Sequence, residues 1–286
     1  MKSSTGTGVF KAVIAVVLFC LFTITAYSQA QIQEAGMRAP VDIKIDGKTL
    51  EWPGNKLVAF NNTDNIWYAI TNDDDNIYLA VRGPYLPAAE KIFSGGLTFT
   101  ISRSVDKKER IKAKDNVAVT FPVVETTVAK NIIASVMTYT GMRSDTSGKK
   151  QEHDALVNTV NAKTSDALRE LKVAGIKEIP DSLVSIYNAT GVKAMGSFNR
   201  GMAFTVEMAI PLKYLGLSVN DAAKFSYNIM LNGSSFFSTA VTDQYGGNLS
   251  YRTTNASSVQ GVATGDMGYM FYPTDFWAEY TFAKKP

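Results

Sequence analysis

Cysteine and histidine are almost missing from this chain. Its 286 residues include one of each, Cys20 and His153. Cys20 sits in an N-terminal apolar run, so the rest of the protein has neither a disulfide frame nor a thiolate metal site, and its stability must come from burial. A single histidine excludes the usual zinc ligand sets. It also leaves a histidine-based triad unsupported, because no Gly-x-Ser-x-Gly nucleophile motif accompanies it. His153 lies among Gln151, Glu152 and Asp154, where a solvated side chain is expected. An excess of charge is missing too. Setting aside residues 1–30, which hold Lys2, Lys11 and no acid, lowers the formal net charge from +3 to +1. A near-neutral surface gives no electrostatic case for nucleic acid or anionic membrane. The basic residues within 103–115 have no interleaved aromatic for base stacking, and read as a solvated hairpin tip.

What is present begins with an export signal. Lys2 and Lys11 precede an apolar run over residues 12–26, and Ser28-Gln29-Ala30 offers small residues at the positions a signal peptidase reads. The run is shorter than the ~20 residues needed to span a bilayer. Cleavage is expected near Gln31, leaving no membrane span and a product that is periplasmic, on the outer surface or secreted. Cys20 is preceded by Phe19, a poor match to a lipoprotein signal.

The remainder, residues 31–286, reads as one domain dominated by strands. Residues 41–45 alternate with period two, and Asp46-Gly47 follows as a turn pair. Residues 66–71 and 77–82 flank the polar run 72–76 as a hairpin. Further strands are expected at 96–102, 116–121, 183–188, 203–210, 225–231 and 276–282. A helical insertion is expected at about 150–177, from apolar residues at helical spacing, with a long loop at about 243–273, rich in Gly, Ser, Thr and Asn. The fold class is mostly β: an antiparallel sandwich with a short helical insertion.

Three widely separated pieces carry a likeness: Ile45-Asp46-Gly47 with Trp52, the hairpin ending Asn76-Ile77-Tyr78-Leu79-Ala80-Val81, and Glu207 with Ile210-Pro211-Leu212. Their order and spacing resemble family 9 carbohydrate-binding modules and DOMON-like domains of exported bacterial proteins. The resemblance implies a jelly-roll-like sandwich, at times stiffened by calcium, with sugar held between aromatic rings. Haem, found in some DOMON relatives, needs axial ligands that a lone His153 scarcely supplies.

Sugar recognition needs flat aromatic surface. One ring covering roughly 100 Å² yields about 2.5 kcal/mol, while a millimolar site needs about 4.1 kcal/mol, so two rings are required. Trp52, Tyr85, Tyr245 and Tyr251 are the ligand candidates; Trp67 and Trp277 lie inside strands and are expected to fill the core. Asp73 and Asp75, with Asn72 and Asn76 beside them, could ligate calcium through oxygen, or simply form a solvated turn. The expected function is non-catalytic, weak glycan binding; the alternative is a structural or assembly domain of the same fold without a sugar site.

Overall fold

The structure, a computed structural model, describes residues 32–52, 57–84, 86–142, 150–221, 223–234, 240–242, 249–251 and 269–285, with backbone alone for 140–142, 150, 240–242 and 249–251. Residues 32–286 form one compact unit, distinct from residues 1–31. Its elements in chain order are β1 (Ala59–Asn61), β2 (Ile66–Asn72), β3 (Asn76–Gly83), α1 (Leu86–Gly95), β4 (Leu97–Ser102), α2 (Glu109–Lys112), β5 (Val117–Phe121), α3 (Thr126–Met142), α4 (Lys150–Ala167), β6 (Glu170–Ala174), β7 (Leu183–Ser185), β8 (Lys193–Phe198), β9 (Phe204–Pro211), β10 (Phe225–Leu231), β11 (Ala240–Thr242), β12 (Leu249–Tyr251) and β13 (Thr274–Tyr280).

Among the described residues the strands form two large antiparallel sheets, ordered β1-β2-β3-β9-β8 and β13-β10-β4-β5-β6-β7, with β11-β12 as a separate pair. Successive strand residues point to opposite faces, so Ile66, Tyr68 and Ile70, with Ile77, Leu79 and Val81, line one inner face. They share a single core with Phe99, Ile101, Val119, Phe225, Tyr227 and Ile229 from the other sheet. The Tyr68 and Tyr227 hydroxyls meet at 3.1 Å within this core. The expected sandwich is therefore the observed one.

The first sheet is also covered on its outer side. All eight residues of β9 are buried, because residues 37–52 run across that face as an irregular strap. Trp52, Ala69, Tyr78, Ala80 and Ala209 form a second apolar cluster, with Met37, Ala39, Ile43 and Ile45 packed on it. Residues 41–45, expected as a strand, are not one: the segment turns back on itself, with Ile43 N–H donating to the Pro40 carbonyl at 3.3 Å. Its apolar alternation serves coverage of the sheet rather than a ladder.

The start and the end of this unit close on each other. Gln33 is buried, exchanging hydrogen bonds with Ile70 N–H (2.8 Å) and Ile70 O (2.7 Å), while its carbonyl accepts from the Tyr227 hydroxyl at 2.9 Å. Met37 N–H donates to the Tyr280 hydroxyl at 3.2 Å, and Thr281 N–H to Glu34 O at 3.3 Å.

The helical part differs from expectation. α4 occupies the start of the predicted insertion, but 170–174 is strand β6, whose exposed–buried alternation places Leu171 and Val173 in the core. Three helices, α1, α2 and α3, lie outside the predicted insertion. α3 starts on Glu125, whose carboxylate accepts from Thr127 N–H (2.9 Å) and Val128 N–H (3.0 Å), an N-terminal cap. α1 packs between the two sheets' elements β3, β9 and β10 and helix α3. Most of the expected 243–273 loop lies outside the described residues.

Candidate functional site

The most ordered polar constellation centres on Glu207. It stands mid-strand in β9, paired to Ala80 on one side and Met195 on the other. The strap lies over it, and the carboxylate accepts Asp46 N–H at 3.0 Å, Gly47 N–H at 2.8 Å and the Trp52 indole Nε1–H at 2.5 Å. Gly47 takes φ +80°, and a Cβ there would meet the Gly196 carbonyl carbon at 2.6 Å, so only glycine lets the strap come this close. Burial pushes the Glu207 carboxyl up to about 7, against these three donors, which favour the charged form. The three separate motifs are thus brought together at one point, as a clasp. Trp52 is 1 % exposed, which leaves it no open face for a ligand.

Tyr85 and Tyr245 lie outside the described residues, and of Tyr251 the structure describes only the backbone, in β12. The two tryptophans assigned to the core by sequence are not in it. Trp277 is half-buried on the outer face of β13, with the Arg110 guanidinium 5.0 Å from its ring centre. Trp67 is 42 % exposed, the one exposed residue of β2. It is paired across the sheet with Phe60, their ring centres 4.8 Å apart at 45°.

The predicted acidic turn is built, and the Asp73 carboxylate is engaged within it, while Asp75 takes part in the turn through its backbone. Asp73 Oδ1 accepts Asp75 N–H (2.8 Å) and Asn76 N–H (2.6 Å), and its Oδ2 accepts the Tyr78 hydroxyl at 2.5 Å. Asp74 pairs with Arg38 at 2.8 Å and with Lys285. Among the described residues no three Asp, Glu, His or Cys side chains converge as a metal cradle. His153 lies edge-on to Tyr139 at 5.4 Å.

Two polar groups in apolar surroundings were not singled out from sequence. Arg82 lies directly opposite Trp67 in the β2–β3 ladder and opposite Thr205 in β9. Its Nε–H donates to Thr205 Oγ1 at 3.1 Å and its Nη2 to Thr49 Oγ1 of the strap. At one end of the sandwich, Lys91 of α1 donates to Tyr272 O and Thr274 Oγ1, both at 2.9 Å, under the ring of Tyr269 at 4.1 Å. Burial pulls the Lys91 ammonium down to about 8. Asp64 lies near it, 0 % exposed, its carboxylate enclosed with Lys91 and Thr274 as neighbours. The signal that could have found Glu207 and Arg82 is a single charge within an otherwise apolar strand; Lys91 stands beside Glu90 in α1 and gave no such signal.

Among the described residues no helix is long and apolar enough to cross a membrane. The chain matches no family model, no curated protein and no solved structure.

Proposed function

We propose that this chain is an exported, non-catalytic β-sandwich that holds carbohydrate on an exposed aromatic platform. The observation that carries the reading is Trp67: in a strand whose other six residues are buried, the largest side chain stays in solvent beside Phe60. Exposing that much apolar surface is costly for stability, and adjoining rings supply the two-ring area that a millimolar sugar site requires. Export is supported by the N-terminal pattern of Lys2, Lys11, the apolar run and Ser28-Gln29-Ala30. The platform replaces Trp52 as the leading ring candidate, since Trp52 is occupied by Glu207.

The burial of Trp52 also favours a second reading, in which the fold is retained for assembly without a sugar site. Isothermal titration of the parent chain and Trp67→Ala against a glycan panel separates the two. Binding by the parent that is lost in Trp67→Ala, with both proteins equally stable, supports the platform. Absence of heat with every glycan, with and without calcium, leaves the assembly reading standing.

A further inference from the structure

Beyond the platform lies a cation without a direct ion pair. Arg82 is half-buried, and among the described residues it forms no ion pair. Its nearest acid, Glu207, is engaged by three donors of the strap, and burial lowers the pKa of the Arg82 guanidinium while Glu207 raises it. Two of its arms are fixed, on Thr205 and Thr49. The Nη1 group has no partner among the described residues and is not sealed off from solvent. Directly paired residues in an antiparallel ladder project from the same face. The register therefore sets Phe60, Trp67, Arg82, Thr205 and Ser197 in one row across the outer face of the first sheet. The row passes from two rings to a pre-oriented guanidinium, and then runs under the strap, where Thr205 is buried and the Ser197 hydroxyl donates to Gly47 O at 2.7 Å.

We propose that this row selects carboxylate-bearing sugars, with the pyranose C–H face on Trp67 and the uronate carboxylate on Arg82 Nη1. The inference rests on the carbohydrate reading above and specifies its substrate class. An arginine held by two hydroxyls needs little further ordering to meet a planar carboxylate, and a charge-assisted hydrogen bond is about twice as strong as a neutral one. A neutral sugar in the same place would leave the cation desolvated and unpaired.

The test is titration of the purified chain with oligogalacturonate, its fully methyl-esterified form, and a neutral cello-oligosaccharide of equal length. The free acid should bind at least about tenfold more tightly than either of the other two, a difference of about 1.4 kcal/mol, and the advantage should shrink with added salt. Arg82→Gln should reduce the acid to the affinity of the neutral chain. Arg82 also holds Thr49, so this variant can disturb the strap. The esterified ligand removes the same charge without touching the protein, and it decides the matter if Arg82→Gln is unstable. Equal affinity for free and esterified ligand overturns the acidic preference while the aromatic platform stands. No binding of any of these ligands or of the wider glycan panel overturns both.

Discussion

Removing the carboxylate of Glu207 should be among the most damaging single changes in this protein. In Glu207→Ala, Asp46 N–H, Gly47 N–H and the Trp52 indole N–H lose their shared acceptor. A hydrogen bond to a charged group contributes about 1.5–3 kcal/mol, but the three do not simply add. The variant also escapes the cost of burying Glu207, whose carboxyl burial pushes up to about 7. A buried donor left without its acceptor costs about 1–3 kcal/mol, so with partial relaxation of the three the expected drop is about 3–5 kcal/mol. Trp52→Phe deletes one donor and also trims a buried ring, so its cost should be at least about 1.5–3 kcal/mol. Glu207→Gln offers a single acceptor oxygen to donors that approach both, and should fall between the two. Urea unfolding followed by far-ultraviolet circular dichroism measures each value, and a Glu207→Ala/Trp52→Phe cycle isolates the coupling. A coupling below about 0.5 kcal/mol, or a Glu207→Ala protein as stable as its parent, would refute the clasp.

Stability should also depend on pH through Glu207 and Glu90, both pushed up to about 7 by burial from an ordinary value of 4.5. A carboxyl that keeps its proton longer when folded contributes stability that is full below the unfolded value and is lost as pH rises through the folded one. The urea midpoint should therefore fall between pH 5 and about 7.5, and a midpoint that climbs over that interval contradicts the assignment. Asp73→Ala should cost about 1–2 kcal/mol by freeing Asp75 N–H, Asn76 N–H and the Tyr78 hydroxyl. Millimolar calcium should leave the parent's melting temperature unchanged, since Asp73 is engaged within its own turn; a rise of several degrees would restore a cation site there. Lys91→Met should destabilise by roughly 3 kcal/mol, because it leaves Asp64 enclosed without its nearby cation. Adding Asp64→Asn should recover part of that loss, and no recovery in denaturation experiments would show the two residues to be uncoupled.

The strands that sequence located best are those whose burial follows from their own residues. β3 and β9 are near-continuous apolar runs, and β5 and most of β10 alternate. What sequence misplaced depended on partners it does not name. Leu168 and Leu171 fit helical spacing, yet β5 claims 172–174 as a ladder, and that pairing outweighs the local period. α1 was not legible because its buried side includes Glu90 and Lys91, which read as a solvent face. The strap mimics a strand because it too alternates, although its backbone donors go to a carboxylate 160 residues away. For the same reason the motif residues were visible and their meeting was not: Asp46, Gly47, Trp52 and Glu207 are ordinary letters until β9 is folded beneath them. Trp67 was assigned to the interior on general grounds of tryptophan burial, and the pairing with Phe60 at the sheet margin reverses that.

The joining of Gln33 and Met37 to Tyr227 and Tyr280 has a temporal consequence. The earliest part of this unit to emerge can bond to β2 soon after, at Ile70 and Asn72, but its remaining partners come from β10 and β13, so during synthesis it stays half-anchored until those strands have appeared. Contacts of such long sequence separation make for slow closure. The unit would thus stay pliant through most of its own synthesis and close only once its last strand is in place.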